Sequence, residues 1–242
     1  MTSVLITGAN KGLGYETARR LGELGWTVFL GSRDEGRGRA AAQKLAADGA
    51  HVIMVPLDVT SDESVAGAVR LVREHTDRID VLINNAGTPG GGVNPADATA
   101  KDIHAVYDTN VYGPVRVTHG FLPLLQAADN PRVVMVTGAG GSIAVVTDPA
   151  QAVSKMYELA YTSSKAALNM ITVRYAQALP AIKFNAVTPG EVATGKFTAT
   201  DMNIHTGELT VAEGSDPIIE LATLASDGPT GVFIDRLGPI AW

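Results

Sequence analysis

Short apolar segments alternate with amphipathic segments along most of the chain. Seven of the apolar segments are rich in valine and isoleucine, and most are apolar throughout, which is typical of strands buried on both faces of a parallel sheet. These segments are Val4–Thr7, Thr27–Gly31, Val52–Val55, Val81–Asn84, Val133–Thr137, Phe184–Thr188 and Val232–Ile234. Between them lie amphipathic stretches, such as the one that runs from Leu13 to Leu24 with apolar residues at helical spacing.

Strands that alternate with helices imply βαβ units with right-handed crossovers. We therefore predict an α/β fold: a single Rossmann-type doubly wound domain over residues 1–242, with a seven-stranded, mostly parallel sheet and helices on both faces. One predicted helix begins with a capping box formed by Thr60 and Glu63.

Three irregular segments each follow the C-terminal end of a predicted strand. They are residues 88–99, 138–157 and 189–211. In open α/β sheets, ligands bind at this edge of the sheet. We therefore expect these segments to form the walls of a site, with substrate loops at 138–157 and 189–211.

Composition narrows the possible partners. The 242 residues are 45% hydrophobic and 18% charged, a globular balance, and they contain no cysteine. Disulfides, thiolate metal sites and thiol catalysis are therefore excluded, and no metal is expected. A net charge of −6 without a basic patch argues against nucleic acid or an anionic membrane as a partner. With no signal peptide and no apolar run of about 20 residues, we expect a cytoplasmic protein with a small-molecule substrate.

A glycine-rich turn joins the first strand to the first helix, with the sequence Thr7-Gly8-Ala9-Asn10-Lys11-Gly12-Leu13-Gly14. Glycines let the backbone approach a pyrophosphate, and the helix N-terminus offers N–H groups to the phosphates. A tight βα loop without a ligand would have the same glycines. The strand before the turn and the helix after it favour a dinucleotide site.

The tip of the second strand distinguishes two cofactors. An NAD site places a carboxylate there, whereas this chain has Gly31-Ser32-Arg33. Arg33 and Lys11 suit a 2′-phosphate, and Asp34 is predicted to start the next helix. We therefore predict NADPH/NADP as the cofactor; the alternative is that both cations are solvated surface charges.

Tyr161 and Lys165 lie four residues apart in a predicted helix and therefore share one face. A nearby ammonium favours tyrosinate, lowers the pKa of the phenol and makes the hydroxyl a usable general acid. This spacing is also common in ordinary exposed pairs. Together with the glycine turn, it points to catalysis.

With these motifs, the sequence resembles the short-chain dehydrogenase/reductase family over essentially the whole chain. The matching pieces are residues 7–14, Leu57-Asp58-Val59, Asn84-Asn85-Ala86-Gly87, Asn110, Tyr161 with Lys165, and Pro189-Gly190 with Thr194. Asn10-Lys11-Gly12, Ser32-Arg33-Asp34 and the tail that ends in Trp242 look most like the NADPH-dependent carbonyl reductases.

The resemblance implies an NADPH-dependent oxidoreductase that reduces a carbonyl of a ketone, aldehyde or quinone, with an imine as a variant. It implies that Tyr161 protonates the carbonyl oxygen, that Lys165 binds the nicotinamide ribose, and that Asn110 holds a water linking Lys165 to solvent. The implied cofactor-binding residues are Gly8, Asn10, Lys11, Gly12, Leu13, Gly14, Arg33, Asp58, Val59, Asn85, Ala86, Gly87, Tyr161, Lys165, Pro189, Gly190, Val192 and Thr194. Without catalysis, Asp58 would cap the following turn and Asn110 would be a satisfied polar group in a helix.

The chain departs from the family pattern after the fifth strand. The family usually has Val-Ser-Ser-x-x-Gly, whose second serine donates to the substrate oxygen, and Gly138 takes that place here. Ser142 is one candidate for the replacement donor. A water or a backbone N–H around Gly138 is a second, and a reaction that needs no such donor is a third.

Two further departures concern the substrate loops. The segment around Val145–Met156 is longer than usual, and its apolar residues either face the substrate or pack beneath the loop. Glu191 either binds a polar or cationic substrate group or points to solvent.

The missing serine also supports a function of a different class. The alternative is a nucleotide-binding cyclase or isomerase without redox chemistry, or a cofactor-sensing protein. A homo-oligomer paired through the helix that carries Tyr161 is an open possibility, since the longer segment before that helix could block the pairing.

Overall fold

One sheet of eight strands forms the centre of the part of the chain that the computed structural model describes, residues 1–155, 157–191, 198, 200 and 207–242. The strands are β1 (Ser3–Ile6), β2 (Thr27–Ser32), β3 (His51–Pro56), β4 (Val81–Asn84), β5 (Arg132–Val136), β6 (Lys183–Val187), β7 (Phe233–Asp235) and β8 (Gly238–Pro239). Their order across the sheet is β3-β2-β1-β4-β5-β6-β7-β8. All neighbouring pairs are parallel except β7 and β8, which form an antiparallel hairpin.

Helices cover both faces of this sheet. They are α1 (Gly12–Glu23), α2 (Glu35–Ala47), α3 (Asp62–Arg73), α4 (Ala100–Tyr107), α5 (Gly113–Gln126), α6 (Ile143–Thr147), α7 (Leu159–Ala178) and α8 (Val211–Ala222). A π-helical turn, Asp108–Tyr112, joins α4 to α5, and 3-10 turns lie at Ala139–Gly141 and Ala152–Lys155.

Alternate residues of each central strand enter different cores. In β1, Leu5 packs with the core beneath α3, α5 and α7, while Val4 and Ile6 pack with the core beneath α1, α2 and α8. This follows from the two-residue period of a strand, and because both faces are covered, successive interior positions of β1 are apolar. Burial of Phe29 and Phe121, each fully enclosed, contributes about 1.5–3 kcal/mol apiece.

The strand order reverses at β1, whose neighbours are β2 on one side and β4 on the other. Such a reversal opens a crevice at the carboxyl ends of the strands, which is the usual ligand site of this architecture. The glycine turn after β1 and the segment after β4 therefore lie at the crevice.

The predicted fold class is confirmed, and the seven predicted strands lie within one residue of their observed ends. The hairpin strand β8 is an addition. The predicted capping box is wrong: Ser61 is the N-cap of α3 and accepts from the Ser64 N–H, while the Thr60 hydroxyl donates to Asp58. Within the described ranges, no helix combines the length and the apolar character that crossing a membrane requires.

Candidate active site

The glycine turn after β1 has backbone dihedral angles that glycine adopts more readily than other residues. Gly8 and Gly12 have φ values of 64° and 56°, in the left-handed region. At Gly14 the constraint is space, since a Cβ there would lie 2.5 Å from the Asn85 Nδ2 atom and 2.7 Å from the Gly8 oxygen. A Cβ on Gly12 would meet no atom within 4 Å, so this part of the turn borders open space.

The first turn of α1 is suited to an anion. Its N-cap residue, Lys11, makes no side-chain capping bond, and the turn contains no acidic residue. The N-terminal N–H groups and the positive end of the helix dipole therefore face the open space beside Gly12. These features fit the pyrophosphate of a dinucleotide.

The tip of β2 carries an exposed arginine and a carboxylate that is already engaged. Asp34 caps α2 as predicted: its Oδ1 atom accepts from the Arg37 N–H at 2.9 Å, and its Oδ2 atom lies 3.4 Å from the Arg37 Nε atom. Arg33 is exposed beside it, and Lys11 is exposed at the start of α1. Both cationic side chains are exposed, and their contact with a 2′-phosphate stays a prediction.

The ends of β3 and β4 form the adjoining wall. The Asp58 Oδ1 atom accepts from the Thr60 N–H at 2.9 Å and the Thr60 hydroxyl at 2.7 Å, so this residue does stabilise the following turn. Val59 is buried. The Asn85 amide donates to the carbonyls of Thr7 and Gly8 at 2.8 and 3.1 Å and thereby ties β4 to the glycine turn.

Tyr161 and Lys165 lie on one face of α7, opposite the end of β5. The Lys165 Nζ atom lies 5.6 Å from the centre of the Tyr161 ring and donates to the Val136 carbonyl at 3.0 Å. The Tyr161 hydroxyl makes no hydrogen bond to any described residue. It is therefore available to a substrate.

Burial controls the ionisation of this pair. Burial, with a smaller contribution from the negative charge of Glu158, raises the pKa of Tyr161 to about 12. Burial also lowers the pKa of Lys165 to about 8. The prediction that Lys165 lowers the pKa of the tyrosine disagrees with this structure, because loss of solvation outweighs any benefit from the ammonium. At neutral pH the phenol keeps its proton.

Asn110 lies in the π-helical turn between α4 and α5 and is fully buried. Its Oδ1 atom accepts from the Thr88 N–H at 2.8 Å, and its Nδ2 atom donates to the Thr88 carbonyl at 2.9 Å and the Ser164 hydroxyl at 3.0 Å. The side chain thus joins the loop after β4 to α7 beside Tyr161 and Lys165. A π-helical turn breaks the regular hydrogen-bond pattern of a helix and is common at functional sites.

Gly138 faces the tyrosine directly. A Cβ on Gly138 would lie 3.2 Å from the Tyr161 hydroxyl oxygen and 3.9 Å from the Lys165 Cγ atom. Its φ of −167° is ordinary extended backbone. A side chain at this position would therefore project into the space beside the hydroxyl.

Ser142 is committed elsewhere. Its side chain is fully buried, its hydroxyl donates to the Ala241 carbonyl at 2.7 Å, and its oxygen accepts from the Val145 N–H at 3.0 Å as the N-cap of α6. The prediction that Ser142 replaces the missing donor therefore disagrees with the structure. The hydroxyl proton is used in the hydrogen bond to the C-terminal tail. The sequence does not reveal that this tail lies against the loop.

The longer segment divides its apolar residues between two environments. Val145 and Val153 pack with Ala139 in a small core, whereas Ile143 and Tyr157 are 69% and 73% exposed. The segment therefore buries one apolar face and presents another to its surroundings.

Glu191 does not point to solvent. It is buried, and its Oε1 atom accepts from the Arg236 Nε atom at 2.8 Å and from the Nη2 atom of the same arginine. In place of a substrate contact or a solvent-exposed carboxylate, Glu191 forms an ion pair with Arg236. This ion pair connects the Pro189-Gly190 turn to the β7–β8 hairpin. Among the other predicted residues of this loop, Val192 and Thr194 lie outside the described residues, as does Met156.

A cavity of about 170 Å³ opens beside Tyr161. Its walls come from the loop after β4, from α4 and from the start of α7: residues 88–93, Ala98, Asp102, Ala105, Val106 and residues 158–161. Glu158 also lines this cavity and is not among the residues predicted from the sequence; its position three residues before Tyr161, as the N-cap of α7, is the signal that points to it.

The fold and this site are those of a dinucleotide-binding oxidoreductase, and comparison with known proteins agrees. The family model described as short chain dehydrogenase matches residues 2–204. The chain belongs to this family.

Several relatives match almost end to end. A (+)-neomenthol dehydrogenase from Capsicum annuum is 31% identical over 96% of this chain and 95% of its own, and a (−)-isopiperitenone reductase from Mentha piperita is 30% identical over 96% and 95%. The crystal structure of an NADPH-bound carbonyl reductase from chicken fatty liver covers 100% of this chain and 99% of its own, with 29% identity and a TM-score of 0.86. The predicted family, reductase class and cofactor class agree with these findings.

Proposed function

We propose that this protein is an NADPH-dependent reductase of a small carbonyl compound, with Tyr161 as the general acid. The observation that carries the proposal is the Tyr161 hydroxyl: it keeps its proton at neutral pH, has no hydrogen-bond partner among the described residues and borders a cavity. A general acid needs a transferable proton and a free path to the substrate oxygen. NADPH supplies the hydride when it is bound.

The chain's own residues bind the cofactor and transfer the proton. The glycine turn and the start of α1 would hold the pyrophosphate, and Arg33 and Lys11 would hold the 2′-phosphate. The nucleotide would be lined by Asp58, Val59, Asn85, Ala86, Gly87, Pro189 and Gly190. Tyr161 donates its proton to the carbonyl oxygen as the carbon receives the hydride. Lys165 is mostly protonated at neutral pH because its pKa is about 8, so it can return a proton to the tyrosine, with Asn110 holding the linking water.

The partners, location and oligomeric state of the protein belong to the same proposal. A small-molecule substrate and a cytoplasmic location are part of this proposal, and the negative net charge gives no support for a nucleic-acid partner. The longer segment before α7 leaves both a monomer and a homo-oligomer open.

The test is loss of NADPH absorbance in the presence of ketones, aldehydes, quinones and cyclic imines. Turnover with any of these classes would support the reductase. Consumption of none of them, with NADPH binding seen by fluorescence in the same samples, would favour the non-redox alternative of a cyclase, an isomerase or a cofactor sensor. The glycine at position 138, where the resemblance to the family places a serine, is the reason for this alternative.

Arg33 sets the expected preference for NADPH over NADH. Removal of a charge-assisted hydrogen bond costs about 1.5–3 kcal/mol, so Arg33→Ala should raise the KM for NADPH about 10–100-fold and leave the KM for NADH nearly unchanged. Arg39→Ala is the matched control, because Arg39 is an exposed arginine of α2 that pairs with Glu35. An unchanged ratio of the two KM values in Arg33→Ala would contradict this assignment.

A further inference from the structure

Glu158 lies at the wall of the cavity that also borders Tyr161. It is the N-cap residue of α7, yet its side chain makes no capping bond. Within the described part of the chain its carboxylate has neither a hydrogen-bond nor an ion-pair partner. A carboxylate has only acceptor oxygens, so a bound cation or a strong hydrogen-bond donor is its natural partner.

Asp102, the other charged residue of the cavity wall, does have hydrogen-bond partners. The Asp102 Oδ2 atom accepts from the Thr99 N–H at 2.9 Å and the Thr99 hydroxyl at 2.6 Å, in the capping box of α4. Lysine, arginine and histidine are absent from the described lining. Among the described residues of the lining, the charged side chains are therefore both acidic, and none of them neutralises Glu158.

The carboxylate is also close to the reacting group. Glu158 lies one helical turn before Tyr161, and its negative charge contributes to the raised pKa of that tyrosine. A cation bound next to Glu158 would reduce the effect of this negative charge on the Tyr161 hydroxyl. A ligand that fills the cavity can thus contact both residues.

We propose that Glu158 determines substrate specificity by binding a protonated amine of the substrate, while Tyr161 donates to the carbonyl of the same molecule. The inference rests on the proposed function, and it names the substrate class as small ketones or aldehydes with a cationic nitrogen a few bonds from the carbonyl. The cavity of about 170 Å³ suits a molecule of one ring. Gly90, Gly91 and Gly92 contribute no side chains to the cavity lining, which leaves room for such a ring.

The test uses two ketones of nearly equal shape and different charge. 1-Methyl-4-piperidone is a cation below the pKa of its amine, and 4-methylcyclohexanone is its neutral counterpart. A hydrogen bond to a charged group is worth about 1.5–3 kcal/mol, so the wild-type kcat/KM should favour the piperidone about tenfold or more. Glu158→Gln should reduce this preference to near unity, because it removes the negative charge that binds the amine.

Glu74→Gln is the matched control, because Glu74 is exposed at the C-terminus of α3, away from the cavity. This variant should keep the wild-type preference. A preference for the neutral ketone, or a cationic preference that survives in Glu158→Gln, would overturn the inference while leaving the reductase intact.

A second readout separates this inference from the proposed function. Calorimetric titration of both ketones into the protein without NADPH measures binding alone. Tighter binding of the piperidone to the wild type, lost in Glu158→Gln, would support the inference even if neither ketone were reduced. Equal binding of the two ketones to the wild type would overturn it.

Discussion

Tyr161→Phe is expected to lower kcat for carbonyl reduction by about 10²–10⁴-fold, the usual contribution of a positioned general acid. The substitution removes the hydroxyl that is proposed to protonate the substrate oxygen and keeps the aromatic ring beside the cavity. The Tyr161 hydroxyl bonds to none of the described residues, so its removal breaks no intramolecular hydrogen bond. The measurement is the initial rate of NADPH consumption with the best carbonyl substrate.

Two controls separate chemistry from folding in this experiment. Tyr157→Phe makes the same change at a tyrosine that is 73% exposed four residues earlier, and it should keep near wild-type activity. NADPH binding and the thermal midpoint of Tyr161→Phe should match those of the wild type. Full activity in Tyr161→Phe would remove the tyrosine from the mechanism.

The sequence predicts most of the fold because burial on both faces leaves a strong local signature. The run at residues 133–137 is apolar throughout, and the observed strand β5 matches it within one residue. Local signals fail where two neighbours compete: Thr60 and Ser61 both suit an N-cap, and tertiary contacts decide between them. The hairpin strand β8 contains two residues, too few to produce a periodic pattern.

The site is predictable where a motif fixes a backbone position, and less so where burial decides the chemistry. The glycine turn, Asp34 as a helix cap and the pairing of Tyr161 with Lys165 on one face all follow from spacing. The raised pKa of Tyr161 depends on solvation by the whole fold. The contacts of Ser142 and Glu191 depend on residues 99 and 45 positions later in the chain, which no local pattern reveals.

Gly138→Ser is expected to raise kcat for a neutral ketone. The resemblance to the family places a hydroxyl donor at this position, and loss of one such donor from an enzyme typically costs about 10²–10³-fold in rate. The extended backbone of Gly138 accepts any residue, and a Cβ there lies 3.2 Å from the Tyr161 hydroxyl oxygen. A serine Oγ atom would extend into the space where Tyr161 meets the substrate oxygen.

The expected gain is about tenfold to a hundredfold, less than the full value of an oxyanion donor, because the 3.2 Å approach requires Tyr161 to shift by a few tenths of an ångström. Gly138→Ala is the matched control: it adds the same Cβ without a hydroxyl and should leave kcat equal or lower. If both variants lose activity alike, the glycine is needed for space, and the substrate itself occupies the position of the missing side chain. If only Gly138→Ser gains activity, the wild-type site lacks a hydroxyl donor although its geometry has room for one. Such a result would favour a natural substrate whose carbonyl needs little polarisation.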